Sequence, residues 1–370
     1  MKMAKSRLHE LSEHGQSVWF DTLSRQLVES GELKRMMDED AVVGVTSNPT
    51  IFQKALSEGD LYDDQLRECL DELDDPREIF FRLALDDIRD ACDVLRAVWD
   101  GGKGQDGYVS MEVDPDLAYD TEASFDQARW IAKEVDRPNL LVKIPATMAG
   151  LPAIEDCIAK GTSINITLIF SFDRYKAVVE AYLRGLERLI ASGGDPTKVA
   201  SVASFFVSRV DTEADKRLEQ LGRTGLEGKL AIANAKLAYQ HYLEAFQGER
   251  WEFLAGKGAT KQRCLWASTS TKNPTYRDVM YVEELIGPHT VNTMPLETIR
   301  AFQDHGEVRG DTLLEGIDEA KRLFDDLREA GVDYDDVVLT LEEEGVQKFS
   351  ASFAELIEGI RAKRGALAAA

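Results

Sequence analysis

The sequence predicts an α/β fold, a single (βα)8 barrel of the TIM type with additional helices. Eight short β-rich runs alternate with longer stretches in which apolar residues recur at spacings of three and four. Strands that alternate with helices pair in parallel, and eight such units are the number that closes a barrel. No linker rich in Pro, Gly or Ser divides the chain, so residues 1–370 are interpreted as one domain with N- and C-terminal helical extensions.

Each predicted strand is a short run enriched in β-branched and aromatic residues. In order, the runs are 17–21, 41–48, 108–113, 140–144, 163–168, 199–206, 263–269 and 290–293. The clearest helical periodicity lies between them, at 76–100, 124–136 and 172–192. The stretch 208–262 is predicted to hold two helices, and further helices precede the first strand and follow the last.

A doubly wound open sheet is the alternative fold. Gly102, Gly104 and Gly107 match the pattern G-x-G-x-x-G, which would favour a dinucleotide-binding sheet. They follow a predicted helix and precede a predicted strand, however, and the dinucleotide fingerprint requires the reverse order. We interpret this segment as a connector.

The composition argues against two classes of partner. The net charge is −23, whereas nucleic acids and anionic membranes bind basic surfaces. No segment reaches the ~18 apolar residues of a membrane span, and the first residues contain no apolar stretch of signal-peptide length. We therefore expect a cytoplasmic protein, for which a phosphorylated metabolite remains a suitable ligand if a few cations converge in one pocket.

Cysteine and histidine spacing predicts no metal site. The four cysteines lie far apart without a CxxC pair, which indicates reduced core thiols rather than a disulfide or zinc framework. The five histidines show no HExxH or similar ligand spacing.

The alternation of side chains along the strands predicts a polar barrel interior. In 163–168, one face is apolar and the other consists of Ser163, Asn165 and Thr167. A parallel barrel strand is normally buried on both faces, so this polar face must line a wet or reactive space. Polar side chains are expected late in their strands on the inward side at the following positions: Asp21, Asn48, Glu112, Lys143, Asn165 and Thr167.

For any one of these residues a salt bridge or a strand cap is an equally good explanation. Five strands that each place a polar group at one level favour a site at the C-terminal mouth, where such barrels carry their chemistry. Lys143 lies in an apolar run. Either this run is an exposed edge strand and the lysine is its protective charge, or the lysine points into the barrel mouth as an amine. Burial disfavours the ammonium form, and only a neutral amine attacks a carbonyl carbon to form a Schiff base. Glu112 and Asp21 then offer carboxyl groups for proton transfer, and Thr167 offers a hydroxyl that holds a water.

Several segments resemble the strand-end motifs of transaldolases in order and approximate spacing. They are TSNPTIF (46–52), SMEVDP (110–115), NLLVKIPAT (139–147), INITLIFS (164–171) and SFFVSRVD (204–211). The resemblance runs from about residue 10 to the C-terminal helices, and the chain length is similar to that of the longer bacterial members. It implies Schiff-base transfer of dihydroxyacetone between sugar phosphates in the pentose phosphate pathway, without metal or organic cofactor.

The resemblance also implies roles for single residues. Lys143 matches the Schiff-base lysine, Glu112 the carboxylate that moves protons through a water, and Thr167 the threonine that positions this water. Asp21 matches the aspartate that faces the hydroxyl deprotonated during C3–C4 cleavage. Four further residues match substrate-binding positions: Asn48 and Asn165 for the dihydroxyacetone part, and Ser204 and Arg209 for the phosphate.

One departure from the family concerns the second phosphate ligand. Many members have an arginine after the seventh strand, where this chain has Ser270 and Lys272. Lys272 either replaces the charge, although not the two-pronged geometry of a guanidinium, or is a solvated loop residue without a role in phosphate binding. Phe206 lies two residues after the matched serine, where a tyrosine is typical of an aldolase, and it favours the transferase.

Three other functions remain as alternatives. They are a fructose 6-phosphate aldolase-like enzyme that releases free dihydroxyacetone, a barrel that binds sugar phosphates without turnover, and a metal-dependent barrel hydrolase. The sequence leaves the oligomeric state open between a monomer and a homodimer.

Overall fold

The computed structural model describes residues 6–47, 50–53 and 60–368, and it contains a closed barrel of eight parallel strands in sequence order. The strands are β1 Gln16–Phe20, β2 Val42–Thr46, β3 Tyr108–Glu112, β4 Leu140–Pro145, β5 Ile164–Ile169, β6 Ser201–Phe206, β7 Arg263–Ala267 and β8 Thr290–Met294. Pairing of β1 with β8 closes the barrel, from Gln16 opposite Thr290 to Phe20 opposite Met294. The (βα)8 prediction and all eight strands are confirmed.

Helices surround the barrel and extend it at both chain ends. They are α1 Arg7–Glu13, α2 Arg25–Glu29, α3 Glu32–Asp40, α4 Asp63–Glu72, α5 Pro76–Gly101, α6 Thr121–Val135, α7 Gly150–Ala159, α8 Phe172–Ala191, α9 Ser208–Gln220, α10 Leu230–Ala245, α11 Gly248–Gly256, α12 Met280–Glu283, α13 Leu296–His305, α14 Ile317–Ala330 and α15 Tyr334–Ala368. Several begin at side-chain caps, as where Asp75, Asp120 and Ser171 accept hydrogen bonds from backbone N–H groups of the first turn. No helix in the described part of the chain is long and apolar enough to cross a membrane.

The prediction of two helices between β6 and β7 is wrong, because α9, α10 and α11 lie there. The apolar spacing continues from α10 into α11, so the sequence pattern does not show the break. The helix α10 ends at Ala245, and the extended backbone of Gln247, with φ −144° and ψ 172°, separates it from α11, which begins at Gly248.

Side chains fill the N-terminal end of the barrel and close it. Arg263 of β7 forms an ion pair with Asp106 at 2.9 Å and donates a hydrogen bond to Ser17 at 2.9 Å. The indole of Trp19 donates to the same aspartate at 3.1 Å. Because these polar groups bind one another, they are not available to bind a substrate. The polar groups at the C-terminal end are therefore the ones that can bind a substrate.

Close packing at this closed end predicts a stability effect at Gly44. A Cβ atom on Gly44 would lie 2.6 Å from the ring of Trp19, which is fully buried and has no room to move. We expect Gly44→Ala to lower the free energy of unfolding by about 1–3 kcal/mol, measured by urea titration. Gly359→Ala is the matched control, because a Cβ there meets no atom within 4 Å and alanine favours the helix. Equal stability of wild type and Gly44→Ala would contradict this packing.

The C-terminal helix α15 lies across the mouth of the barrel. A Cβ at Gly345 would lie 3.2 Å from Leu168, the fifth residue of β5, so this glycine permits the close approach. Phe353 packs edge-to-face on Phe80 of α5 at a centroid distance of 5.3 Å. The apolar contacts hold α15 over the end at which the predicted site residues emerge.

Candidate active site

Three predicted site residues lie at one level inside the barrel. In the strand register Glu112 is opposite Lys143, and Lys143 is opposite Asn165. The expectation that each lies late in its strand is wrong for Asn165, which is the second residue of β5. Closure staggers neighbouring strands, so the second residue of β5 stands beside the fourth residue of β4. Asp21 follows β1 directly, one residue beyond its end.

The amine of Lys143 is buried in the barrel interior. The residue is 6% exposed, and β4 pairs with both β3 and β5, which excludes the edge-strand interpretation. Its Nζ donates to the carbonyl oxygen of Ser47 at 2.9 Å and lies 3.5 Å from Oε1 of Glu112. These two contacts fix the nitrogen at the ends of β2 and β3.

Burial raises the pKa of both carboxyl groups. For Glu112 the loss of hydration raises the pKa, while the neighbouring Lys143 lowers it by a smaller amount. For Asp21 burial again dominates, opposed by a hydrogen bond from the hydroxyl of Thr46 at 2.6 Å. The two acids therefore lie in different surroundings, Glu112 beside the amine and Asp21 beside a hydroxyl.

Some buried polar atoms have no hydrogen-bond partner among the described residues. Four of these atoms surround the cavity at Lys143, namely both carboxylate oxygens of Glu112, the hydroxyl of Thr167 and Nη1 of Arg209, and the others lie elsewhere in the protein. Buried polar atoms in folded proteins are nearly always paired. Glu112 retains its ion pair with Lys143 at 3.5 Å, and groups without a hydrogen bond on three elements around one lysine favour a site that hydrogen-bonds a bound molecule.

A cavity of about 250 Å³ opens at this level and joins the amine to the barrel mouth. It is lined by Asp21, Thr46, Lys143, Thr167, Ser204, Phe206, Arg209, Ala267, Ser268, Ser270, Lys272, Thr293, Pro295, Glu297 and Phe349. Glu112 is placed behind Lys143 and borders a smaller cavity of about 10 Å³ with Ser47 and Phe52. The lining brings together the predicted lysine, acid and cation residues from opposite sides of the barrel.

A side-chain network fixes the orientation of Asn165. Its Nδ2 donates to the hydroxyl of Ser110 at 3.0 Å, and its Oδ1 accepts from the hydroxyl of Ser204 at 2.6 Å. Ser204 therefore lies within the barrel wall beside Asn165, whereas Arg209 is on the first turn of α9. Both residues border the same cavity.

Two cations stand at the outer part of the cavity. The guanidinium carbon of Arg209 lies 5.2 Å from the ring centroid of Phe206, and burial lowers the pKa of this arginine. Lys272 is exposed and donates to the hydroxyl of Ser270 at 2.7 Å. Both residues line one cavity. This agrees with the hypothesis that a few cations converge in one pocket to bind a phosphorylated metabolite.

The structure adds site residues that the sequence reasoning did not select. Thr46 and Thr293 share a hydroxyl contact of 2.8 Å below Asp21. Thr46 is two positions before Asn48 and therefore faces the same side of the strand. The alternation along β2 could thus have predicted that Thr46 faces the barrel interior. Phe349 reaches the cavity from α15, and no local pattern marks it. Asn48 itself lies outside the described residues.

The family model for Transaldolase/Fructose-6-phosphate aldolase matches residues 18–360. The chain belongs to the transaldolase family. It is 51% identical to a transaldolase of Frankia alni over 361 residues, which cover 97% of both chains. It is also 52% identical to a transaldolase of Acidothermus cellulolyticus over 95% of both chains, and 51% identical to one of Mycobacterium ulcerans over the full length of both.

Membership in the transaldolase family confirms the resemblance that the strand-end motifs indicate. The family match includes every predicted site residue, from Asp21 to Lys272. In the described segments, no three His, Cys, Asp or Glu side chains gather as a metal-binding group.

Proposed function

We propose that the protein is a transaldolase of the pentose phosphate pathway, a transferase of carbohydrate metabolism. It transfers dihydroxyacetone from sedoheptulose 7-phosphate or fructose 6-phosphate to glyceraldehyde 3-phosphate or erythrose 4-phosphate. The observation that carries the proposal is the buried amine of Lys143 with Glu112 at 3.5 Å, at the base of a cavity open to the barrel mouth. A buried amine and acid are not needed for binding alone, which favours catalysis over a sugar-phosphate sensor.

The first step forms the Schiff base. The Nζ of Lys143 attacks C2 of the ketose through its nitrogen lone pair, and a proton passes from this nitrogen to the former carbonyl oxygen to give a carbinolamine. The hydroxyl then leaves as water after Glu112 protonates it, and a C=N bond replaces the C–O bond. Burial raises the pKa of Glu112, which favours the protonated form that donates in this step. Thr167, whose hydroxyl is otherwise unpaired among the described groups, orients the water.

The second step cleaves the C3–C4 bond. Asp21 accepts the proton of the C4 hydroxyl, the bonding electrons move into the iminium, and the aldose leaves as an aldehyde. The enamine that remains on Lys143 attacks the aldehyde of the acceptor, and hydrolysis releases the new ketose. Asn165 and Asn48 are proposed to bind the hydroxyl groups of the dihydroxyacetone part, and Ser204 is proposed to bind the phosphate together with Arg209.

An aldolase differs only in the fate of the enamine, which takes a proton and releases free dihydroxyacetone. Phe206 borders the cavity and packs on Phe170 at a centroid distance of 5.2 Å, so an apolar ring stands where a proton donor would be required. Fructose 6-phosphate should therefore be consumed only when an acceptor aldose is present. Release of dihydroxyacetone at the same rate without acceptor would identify an aldolase.

The phosphate site gives a separate prediction. An anionic substrate of a protein with net charge −23 requires local cations, and Arg209 is a half-buried one that borders the cavity. A hydrogen bond to a charged group contributes roughly 1.5–3 kcal/mol, or about ten- to a hundredfold in affinity. We expect Arg209→Ala to raise the KM for fructose 6-phosphate by this factor and to leave kcat/KM for fructose almost unchanged.

Lys272→Ala is expected to produce a weaker defect of the same kind. Its ammonium group is exposed and provides a point charge rather than a guanidinium fork. Steady-state kinetics with both sugars measures the effect in each variant. If Arg209→Ala lowers kcat/KM for fructose 6-phosphate and fructose equally, the arginine does not bind phosphate.

The remaining parts of the proposal concern the whole chain. Residues 1–370 are taken as one catalytic domain that requires no cofactor. The four cysteines are buried and free, which supports a reducing compartment and hence the cytoplasm. Sedimentation of the full chain decides between the monomer and the homodimer.

A further inference from the structure

Two contacts attach the segment 268–276, which follows β7, to helix α9. The first is at the start of both elements: the backbone N–H of Ser208 donates to the carbonyl oxygen of Ser268 at 3.0 Å, and the two hydroxyls lie 2.8 Å apart. Ser268 has a φ of +56°, a left-handed conformation that is unfavourable for a non-glycine residue. The contacts to Ser208 hold the chain in this turn.

The second contact lies farther along the same helix. The hydroxyl of Tyr276 donates to Oδ2 of Asp215 at 2.6 Å, and Oδ1 of Asp215 accepts from the backbone N–H of Gly228 at 2.9 Å. The tyrosine ring also packs on Gly228, where a Cβ would lie 2.8 Å from the ring. Hydrogen bonds to a carboxylate are stronger than those between neutral groups, so this contact is a firm one.

Helix α9 is itself held in place between the two contacts. Oδ1 of Asp211 accepts from the backbone N–H of Ala231 at 2.7 Å, and its Oδ2 accepts from the hydroxyl of Tyr281 at 2.8 Å. Asp211 is buried, and burial raises its pKa to about 7. The helix therefore provides a fixed support rather than a mobile one.

The two contacts bracket both cations of the cavity. Along α9, Arg209 lies between Ser208 and Asp215, which are about 10 Å apart at 1.5 Å per residue. Along the segment, Lys272 lies between Ser268 and Tyr276. Lys272 is exposed, and its Nζ donates a hydrogen bond to Ser270 of the same segment, so its position depends on where the segment is held.

We propose that Tyr276 is a positioning residue for the substrate phosphate. Through Asp215 it holds the segment 268–276 on α9, so that Lys272 stands over the cavity opposite Arg209. This inference rests on the proposed function, because it assumes that the two cations bind the phosphate of a ketose. Tyr276 itself does not border the cavity and acts through Lys272.

Tyr276→Phe tests this role, since it removes the hydroxyl and retains the ring on Gly228. The measured quantity is the ratio of kcat/KM for fructose 6-phosphate to kcat/KM for fructose. We expect Tyr276→Phe to lower this ratio about three- to tenfold, through KM rather than kcat, as part of one charged contact is lost. A partly unfolded preparation lowers both rates equally, so the ratio reports position rather than stability.

Tyr182→Phe is the matched control. Its hydroxyl donates one hydrogen bond, to the carbonyl oxygen of Thr260 at 2.7 Å, just before β7 and therefore at the closed end of the barrel. We expect this variant to keep the wild-type ratio even if its stability decreases. If Tyr276→Phe does not fold, Asp215→Ala removes the acceptor of the same hydrogen bond and gives the same measurement.

A double variant decides whether the effect passes through Lys272. In a Lys272→Ala background, adding Tyr276→Phe should change the ratio by less than about twofold, because the residue that it positions is already absent. An unchanged ratio in Tyr276→Phe, or an equal decrease in both backgrounds, would overturn the inference. Failure of the proposed function is distinct: the wild type would then show no turnover of fructose 6-phosphate and no adduct on Lys143.

Discussion

Replacement of Lys143 by Met is expected to abolish turnover of fructose 6-phosphate. Methionine is similar in length and apolar, so it fills the buried space but has no nitrogen to attack the ketose. Removal of a covalent nucleophile lowers kcat by at least about 10⁴-fold in enzymes of this kind. The same substitution should abolish the adduct that borohydride reduction forms with fructose 6-phosphate in the wild-type protein.

Mass spectrometry of the peptide 139–147 measures this adduct directly. The wild type should carry one reduced three-carbon group on Lys143, or the full ketose if cleavage is slow. Lys160→Met, at an exposed lysine one residue after helix α7, is the control and should retain both the adduct and the activity. An adduct on a different lysine would remove Lys143 from its proposed role and would leave the barrel as a binding protein or a different enzyme.

Substitution of the two acids is expected to separate the two chemical steps. Asp21→Ala should still form the imine on Lys143, because Glu112 remains 3.5 Å from the amine. It should be slow in C3–C4 cleavage by about 10²–10⁴-fold, since the C4 hydroxyl has lost its base. Glu112→Ala should already be slow in imine formation, where the leaving hydroxyl requires a proton.

Single-turnover kinetics with quenching by borohydride measures imine formation and aldose release separately. The pH dependence gives a further check on Asp21. Its base form is the carboxylate, and burial raises its pKa above 3.8, so cleavage should be lost as the pH falls through this raised value. Thr46→Val removes the hydrogen bond that opposes the shift and should move this loss to higher pH. Equal defects of both acid variants in imine formation would contradict the division of roles.

The strand pattern and the motifs already contained most of the site. Alternation along 163–168 placed Asn165 and Thr167 on the inward face, and the apolar neighbours of Lys143 marked it as buried. These features are local, because the direction of a side chain in a strand depends only on its parity. The same locality explains the wrong helix count between β6 and β7, where the extended backbone of Gln247 interrupts a helical path that the apolar spacing continues.

The sequence by itself determined the eight βα units, the inward set of polar residues and the transaldolase motifs. Each of these features depends only on residues that are close together in the chain. Only the tertiary structure decided which level of the barrel each residue occupies. The stagger of the closed strands brought Asn165, the second residue of β5, beside Lys143. It also brought Ser204 within hydrogen-bond distance of Asn165. The packing of helices and loops on the barrel brought Phe349 of α15 to the cavity. It also joined Tyr276 to Asp215, which lie 61 positions apart in the sequence. Such contacts depend on barrel closure and helix packing, which involve the whole chain at once and leave no mark on a local pattern.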